Sequence, residues 1–467
     1  MTTLVAENVE EENGHTPSQD SSPFDPVQDA EAMDCEAEIT NMELDGTTLH
    51  NLEILTNSVN YTVAGSLWSK INYTKTPHGA RLLRAWLLRP LFRKADIERR
   101  SEAVQELVSG AAASGLQQAR QVLSKCGDIE RLLLRVHSMS GVTSGDGSEE
   151  DRSHPNHRAV LYEGATYTKR KVGDFAKVLN GLREASQIPE LFHGIDIESG
   201  LLRKIALPKE SGGYFPMIAE DLEWFFDNFD CTEAAEGRFD LNKGADAAYD
   251  EACEAIDRVM VELNSYKDDM CAELGAAARK AWKYANVQPD SKDKYLIELP
   301  ASISVPDDFI MKGKRGSGHK QINKYETPVV QELVLELESA YELQRERKAR
   351  GMELIFAQFD SKRVLWSAVA RATSMLDALG SLAQVASKPG YVRPTILECG
   401  PSDSPCLNIV QGRHPCVENI LSASEFIPND LALGGRGNSG DQLPSVLLLS
   451  GPNMGVCSHP RFRTVVF

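Results

Sequence analysis

The sequence predicts a mainly α-helical fold with a small α+β insertion and, towards its C-terminal end, the start of an α/β region. Three observations support this prediction. Long stretches place apolar residues at helical spacing, strand signals cluster near residue 300, and residues 389–467 alternate short apolar runs with turns. With 467 residues, 42% of them hydrophobic, the chain can bury more than one core, and we expect two to four domains.

The formal net charge of -18 is concentrated at the N-terminus. Residues 1–50 contain 13 Asp and Glu and no Lys or Arg, which leaves 55 acidic and 50 basic residues in 51–467. Residues 1–41 are rich in Glu, Asp, Ser and Pro, and they bury too little apolar area to offset the entropy of ordering. We expect a disordered acidic tail there, while the nearly balanced remainder does not exclude a nucleic-acid partner.

The nine cysteines include no Cys-x-x-Cys pair, which argues against a zinc ribbon or a thioredoxin-type site. Reduced thiols in an intracellular protein are the simplest explanation. The sequence also lacks a run of about 18 apolar residues and the basic start of a signal peptide. We therefore expect a soluble protein that is neither secreted nor held in a membrane.

Residues 42–228 are predicted to be helical. Apolar residues recur there on one helical face at Leu82, Leu83, Trp86 and Leu87, and again at Ile129, Leu132, Leu133 and Val136. The polar, Gly- and Ser-rich stretch 141–155 is predicted to be a loop between helices.

The pattern changes in residues 229–327. Helical spacing continues through Ala252, Ile256, Met260 and Leu263. Two short strands are then predicted at 295–300 and 309–312, on either side of a Pro-Asp-Asp turn. Helical spacing returns over 328–388, where Pro328 suits a helix start and Pro389-Gly390 its end. Beyond it, short strands are predicted near 395–397, 406–410 and 445–449.

The sharpest local signal is the stretch 445–455, an apolar run that enters a Gly-rich turn as a phosphate-binding loop does. Such a loop needs the spacing Gly-x-x-x-x-Gly-Lys-Ser/Thr. Gly451 supplies the first Gly, but Val456 stands at the second Gly position and Cys457 at the Lys position. On spacing alone, a broken nucleotide site is favoured over an intact one.

A basic, Gly-rich loop is the second signal. Its cations are Lys312, Lys314, Arg315, Lys320 and Lys324. Such a loop could contact phosphates without reading bases, although charge alone favours a solvated surface loop. Two further basic runs, at 81–100 and 345–350, are predicted to be solvated helix faces.

Two smaller motifs keep both a functional and a structural interpretation. The stretch 413–416 places His414 and Cys416 two residues apart without a third ligand at metal spacing, so a structural role is favoured. Phe426 lies next to a Pro-Asn-Asp turn, where it could stack on a base or be an ordinary buried Phe.

Several segments, taken in chain order, carry a resemblance to a known family. They are 42–54, 65–67, 76–90, 128–132, 158–163, 166–171, 413–415, 426–430 and 450–455. These segments resemble the MutS family of DNA mismatch-repair proteins, most closely its eukaryotic sixth homologue. The resemblance implies an acidic tail (1–41), a helical core or lever (42–228), a clamp (229–327), returning lever helices (328–388) and the first part of an ABC-type ATPase domain (389–467).

The resemblance also assigns roles to residues. It implies that the basic loop, Lys312 to Lys324, grips the backbone of duplex DNA. It makes Phe426 and Ile427 the expected adenine contacts, and it makes Gly451, Pro452, Asn453, Met454 and Gly455 the first half of the phosphate loop. ATP and Mg are the cofactors of the family, a second MutS homologue is the expected heterodimer partner, and the nucleus is the expected location.

The sequence departs from the family pattern at both ends. The family's mismatch-reading and connector domains would precede Met42, and its Gly-Lys-Ser/Thr continuation would follow Gly455. We therefore expect a chain truncated at both ends, with no catalytic residue, no metal site and no productive binding of ATP or Mg. Residues 456–467 are expected to be translated intron or a gene-model error, because every Val codon begins with GT, as most introns do. The alternative function is an inactive helical scaffold that docks on a MutS-family partner without binding ATP or mismatches.

Overall fold

The computed structural model describes residues 41–58, 60–139, 155–287, 294–317, 321–398, 405–416, 426–435 and 443–447. Its helices before the sheet are α1 (Gly46–Asn51), α2 (Leu67–Ile71), α3 (Pro77–Leu88), α4 (Lys94–Ser109), α5 (Ala113–Cys126), α6 (Ile129–Met139), α7 (Pro155–Ala185), α8 (Ile188–Leu191), α9 (Gly200–Ala206), α10 (Ala219–Asn228), α11 (Cys231–Ala235), α12 (Ala247–Leu274) and α13 (Ala276–Ala281). Strands β1 (Lys283–Ala285), β2 (Leu296–Pro300), β3 (Ile310–Arg315) and β4 (Ile322–Glu326) follow, then α14 (Pro328–Ser361), α15 (Arg363–Ala386), β5 (Leu407–Gly412) and β6 (Asn429–Leu433). The predicted mainly helical fold with a small sheet is confirmed.

The chain forms two compact units that alternate along the sequence. The first takes residues 1–126, 184–217 and 364–467, and the second takes 127–183 and 218–363. The predicted division of the chain into five parts stays a prediction, as does the disordered tail, which lies outside the described residues. So does the loop predicted at 141–155, of which only the last residue is described.

Helix α15 is the centre of the first unit. Seventeen of its residues are buried, among them Trp366, Leu376 and Asp377. The Asp377 carboxylate accepts hydrogen bonds from the Lys75 amide (2.8 Å), the Thr76 amide (2.7 Å) and the Thr76 hydroxyl (2.7 Å). Thr76 in turn caps α3, because its hydroxyl oxygen accepts from the Gly79 amide at 3.0 Å. One buried carboxylate thus fixes the start of a helix from a distant part of the chain.

A cluster of phenylalanines forms the core of the second unit. Phe175 on α7 is fully buried, and its ring lies 4.6 Å from the ring of Phe356 and 5.1 Å from that of Phe359. Phe225 and Phe229 approach the same ring edge-on at 6.2 and 5.3 Å. Such edge-to-face pairs add to the stabilisation that burial of the rings provides.

Helices α12 and α14 pack along each other. The four strands of the sheet, β1 to β4, lie between these two helices in the sequence. Tyr266 on α12 donates to the Thr327 hydroxyl at 3.0 Å, and Gln344 on α14 donates to the Cys253 sulfur at 3.2 Å. Residue numbers therefore rise along one helix as they fall along the other, so the pair is antiparallel. Thr327 caps α14, and Pro328 is its first residue, as predicted.

The helical structure predicted over 328–388 consists of α14 and α15, with Lys362 between them. The structure corrects two details of the predicted strands. The strand predicted near 395–397 is wrong: these residues form no strand, Pro394 before them has no amide to donate, and Leu397 is exposed. Residues 445–447 of the last predicted strand are not in a strand either, and 448–449 lie outside the described residues. No helix within the described part of the chain is long and apolar enough to cross a membrane.

Candidate nucleic-acid interface

The basic loop of the sequence lies on an antiparallel sheet with the strand order β1-β2-β4-β3. Strands β3 and β4 form a hairpin in which Lys314 faces Asn323 and Arg315 faces Ile322. The register shifts between Met311 and Gly313, so Lys312 lies at a bulge.

A buried aromatic cluster supports the hairpin. Trp282, Phe309 and Tyr325 are each at most 7% exposed. The Phe309 ring meets the other two edge-on, with its centroid 6.1 Å from that of Trp282 and 5.8 Å from that of Tyr325. Burial raises the pKa of two further tyrosines packed there, Tyr284 and Tyr295, so both hydroxyls stay protonated. The hairpin is therefore held on a rigid apolar base.

Two of the predicted lysines are already paired with acids of the same sheet. Lys312 lies 2.8 Å from a carboxylate oxygen of Glu326, and Lys324 lies 3.4 Å from one of Glu298. Lys324 and Glu298 are also direct neighbours in the register of β2 and β4. The Lys312 side chain remains 47% exposed and the Lys324 side chain 26%, so Lys312 is the one with more freedom to reach a ligand.

The other two described cations lie at the far end of the hairpin. Lys314 and Arg315 are both exposed, and neither has a carboxylate within 4.0 Å among the residues that the structure describes. Gly316 follows at φ +80°, a left-handed conformation that starts the turn. Lys320 lies outside the described residues. The structure thus brings Lys312, Lys314, Arg315 and Lys324 onto one hairpin, while their contact with DNA stays a prediction.

Strand β3 is the edge of the sheet and presents apolar as well as basic side chains. Ile310 is 52% exposed and Met311 58% exposed. Sequence reasoning missed β1, β4 and the acidic partners Glu298 and Glu326. The run Ile-Asn-Lys-Tyr-Glu at 322–326, with Ile and Tyr in a five-residue stretch, was the available signal for β4.

The two further basic runs differ from one another. On α14, Arg345 and Arg350 are exposed, as a solvated face requires, and Lys348 lies 3.4 Å from Asp240. On α4, the Arg100 guanidinium covers the Trp86 ring at 3.7 Å and Arg99 pairs with Asp96. The solvated-face prediction is therefore wrong for Arg100, because cation-π stacking holds this guanidinium against the protein.

The nucleotide-site residues are divided between described and undescribed parts of the chain. Phe426 is 7% exposed, and the Arg413 guanidinium lies 5.3 Å from its ring centroid. Ile427 next to it is 51% exposed. Gly451, Pro452, Asn453, Met454 and Gly455 lie outside the described residues. The described residues of 389–467 contain the antiparallel pair β5 and β6. Because the phosphate-loop residues are not among them, a nucleotide site here stays a prediction.

His414 and Cys416 are both buried, at 2% and 0% exposure. The Cys416 amide donates to His414 Nδ1 at 3.1 Å, so the imidazole takes part in local backbone structure. Burial raises the pKa of the Cys416 thiol to about 11. A protonated, buried thiol is a poor nucleophile. No group of three metal-ligating side chains occurs in the part of the chain that the structure describes.

Comparison with known proteins identifies the family. Residues 47–383 match the sequence model of MutS domain III. The matched range covers most of the chain and includes α12, α14 and the β3–β4 hairpin between them. The chain belongs to the MutS family.

Within this family the chain is similar to Msh6 proteins. It is 32% identical over 425 residues to the chicken "DNA mismatch repair protein Msh6" and 28% identical over 427 residues to the human protein of that name. It is 30% identical over 427 residues to the "DNA mismatch repair protein MSH3" of the fungus Phaeosphaeria nodorum. Each match covers 89% of this chain, but only 30% of the two Msh6 proteins and 33% of the fungal protein. The chain thus spans about a third of the length of these relatives.

Proposed function

We propose that this chain is the core and clamp part of a DNA mismatch-repair protein and holds duplex or mismatched DNA through the β3–β4 hairpin. The observation that supports this best is the pair of exposed cations, Lys314 and Arg315, at the end of a rigidly supported hairpin. The four strands of the sheet contain five basic and two acidic residues. A net positive surface of this kind attracts the phosphate backbone.

The proposed contacts are with phosphates and not with base edges. Lys and Arg on a protruding hairpin can neutralise phosphates of any sequence, so the grip is independent of sequence. Lys312 and Lys324 would exchange Glu326 and Glu298 for phosphate oxygens, and this exchange reduces their net contribution. Lys314 and Arg315 give up no such partner among the described residues, so we assign them the largest share.

The salt dependence of DNA binding tests the proposal. Fluorescence anisotropy of a labelled duplex is measured with the full chain between low and moderate salt. Four engaged cations give a slope of log K against log [salt] of about -3.6, at about -0.9 per phosphate. The double substitution Lys314→Ala and Arg315→Ala should bring the slope to about -1.8.

The matched control replaces the two exposed arginines of α14, Arg345→Ala and Arg350→Ala, which removes the same charge outside the hairpin. This control should leave the slope within about 0.3 of the original value. A slope near zero in the original chain, or equal slopes in the hairpin and control variants, would contradict the proposal.

The remaining family properties extend the same proposal. ATP and Mg belong to the parent family, and Phe426 with Ile427 would supply adenine contacts next to Gly451–Gly455. Cys457 stands where the phosphate loop has its Lys, so we expect no phosphate release from ATP above background. A second MutS homologue would be the heterodimer partner, and the nucleus the place of action.

A second candidate function is an inactive helical scaffold that docks on a MutS-family partner. The missing loop Lys and the internal pairing of Lys312 and Lys324 favour it. Co-purification with a second MutS homologue, combined with no DNA and no ATP binding, would select the scaffold. DNA binding with the salt slope given above would select the clamp.

A further inference from the structure

A cavity of about 150 Å³ lies within the first unit, where α3, α4, α9 and α15 meet. Trp86, Leu91, Leu201 and Met375 give it an apolar lining. An apolar cavity of this volume can hold a benzene ring. None of the residues that line it belongs to the β3–β4 hairpin or to the predicted nucleotide site. The cavity is therefore a separate feature, with room for one aromatic ring.

A buried carboxylate lines the same cavity. The Asp96 side chain is only 6% exposed, and its Oδ1 atom pairs with Arg99. No residue in the described part of the chain donates a hydrogen bond to the other oxygen, Oδ2. A buried carboxylate oxygen is costly until a donor satisfies it. Asp96 Oδ2 is thus an acceptor for a hydrogen-bond donor on a ligand in the cavity.

An arginine of the cavity wall is already stacked on an aromatic ring. The Arg100 guanidinium lies 3.7 Å from the centroid of the Trp86 ring, and Trp86 is 9% exposed. A guanidinium is planar, so it has two faces, and each face can stack on a ring. Trp86 occupies one face of Arg100. A ring that enters the cavity can stack on the other face and complete three layers.

The charged residues of the lining decide the sign of the ligand. Arg99, Arg100 and Lys204 are cations, against the two acids Asp96 and Glu102. The surplus is positive, so a cationic ligand such as a methylated amine is disfavoured. A ligand with a carboxylate beside its ring is favoured. Arg99 and Glu102 are exposed, so the cavity is open to solvent and the rest of a larger ligand can lie outside it.

We infer that this cavity binds a short segment of a partner protein in which a Tyr or Trp stands next to an Asp or Glu. The ring stacks on Arg100 and packs against Leu201 and Met375. Its O–H or N–H donates to Asp96 Oδ2, and the neighbouring carboxylate faces Lys204. Tyr and Trp combine a large apolar ring with a donor, and both are common anchors of protein interfaces. This inference is independent of the proposed grip of the hairpin on DNA.

Saturation-transfer NMR with the full chain and the peptide Gly-Ser-Asp-Tyr-Asp-Ser-Gly tests the inference. We expect saturation to reach the tyrosine ring protons first, with a Kd on the order of 0.1 mM for a single anchor. Replacing the peptide Tyr by Phe should raise the Kd about tenfold, because Asp96 then lacks its donor. In the chain variant Asp96→Ala, the Tyr and Phe peptides should bind within about twofold of each other. Equal binding of the two peptides to the original chain would overturn the inference.

Filling the cavity gives a second test. Gly200 lines it, begins α9 directly after the N-cap Ser199, and has open space around a Cβ atom. Gly200→Trp should raise the Kd of the Tyr peptide at least about tenfold. Gly46→Trp is the matched control, because Gly46 begins α1 directly after the N-cap Asp45 and also has open space. This control should leave the Kd unchanged, and thermal melts should show that both variants fold.

Three results of these measurements would overturn the inference. The first is an equal Kd for the Gly200→Trp and Gly46→Trp variants. The second is free 4-hydroxyphenylacetate binding as tightly as the peptide, which would show a site for a small aromatic acid. The third is self-association of the chain in analytical ultracentrifugation that Gly200→Trp abolishes, which would show that a second copy occupies the cavity.

Discussion

The Thr76 hydroxyl donates a buried hydrogen bond of 2.7 Å to the Asp377 carboxylate across 301 residues of sequence. The same carboxylate accepts from the amides of Lys75 and Thr76. Asp377→Asn would replace one accepting oxygen by a donor, which would face backbone amides that now donate to the carboxylate. We expect the free energy of unfolding of the first unit to fall by about 1–3 kcal/mol. Urea denaturation measures it, and the exposed Asp196→Asn should change it by no more than about 0.5 kcal/mol.

The same carboxylate predicts a dependence of stability on pH. Burial raises the pKa of Asp377 above its ordinary value of 3.8, against the opposing effect of its hydrogen bonds and of Arg120. The folded state therefore holds this proton more tightly than the unfolded state. Its contribution to stability is fully present below pH 3.8 and is lost as pH rises through the raised folded pKa. Denaturation at several pH values measures how much more stable the original chain is than Asp377→Asn. This difference in the free energy of unfolding should fall as pH rises from 3.8 through the raised pKa. A difference that stays constant with pH would contradict the raised pKa.

Gly79 is required by the same contact. A Cβ atom at this position would lie 2.8 Å from both the Asp377 Cβ and the Thr76 hydroxyl. We expect Gly79→Ala to lower the free energy of unfolding by about 1–3 kcal/mol through overpacking. Gly46 on α1 is the matched control, because a Cβ there meets nothing within 4 Å. Helix propensity favours Ala over Gly at both positions, so a loss for Gly79→Ala that is no larger than the change for Gly46→Ala in thermal melts would contradict the close contact.

Phe175 supports the second unit through its four aromatic neighbours. We expect Phe175→Ala to cost about 3–5 kcal/mol, because the cavity adds to the lost burial. Leu134, which is 63% exposed on α6, provides the control substitution Leu134→Ala, with an expected change of at most about 0.5 kcal/mol. Chemical denaturation monitored by circular dichroism distinguishes the two, and a small loss for Phe175→Ala would show that the cluster is not the core of this unit.

Thiol reactivity separates two cysteines of the β5–β6 region. Cys416 is buried and its pKa is raised to about 11, whereas Cys406 is exposed. Because the thiolate is the reacting species, iodoacetamide at pH near 8 should label Cys406 at least about tenfold faster than Cys416. Peptide mass spectrometry over time gives both rates in one sample. In denaturant the two rates should become equal, and similar rates in the folded chain would contradict the burial of Cys416.

Local sequence patterns were sufficient for the helices. The apolar face of α6 was predicted from Ile129, Leu132, Leu133 and Val136, and all four are buried. The start of α14 was predicted from Pro328, and the Thr327 hydroxyl caps it. Both features depend on residues within one or two turns of each other, which is the range over which spacing and capping act.

Contacts between residues that are far apart in the chain could not be predicted from the sequence. Nothing near Thr76 indicates that its partner is Asp377, and the pairing of Lys312 with Glu326 depends on the bulge in β3. Strand β1, with three residues, is too short to show alternation. The predicted hairpin residues were placed on one surface by these non-local pairings, so only the structure could show which of their charges are already compensated.

The interleaved order of the two units has a consequence for synthesis of the chain. Helix α15, around which the first unit is built, follows α3 by nearly three hundred residues. At roughly 5–20 residues per second, Thr76 is added to the chain about 15–60 s before Asp377. During that interval the apolar faces of α3, α4 and α5 have no α15 to cover them. The first unit should therefore depend on chaperones while it is being translated, whereas α12 to α14, which are contiguous, can fold as they emerge.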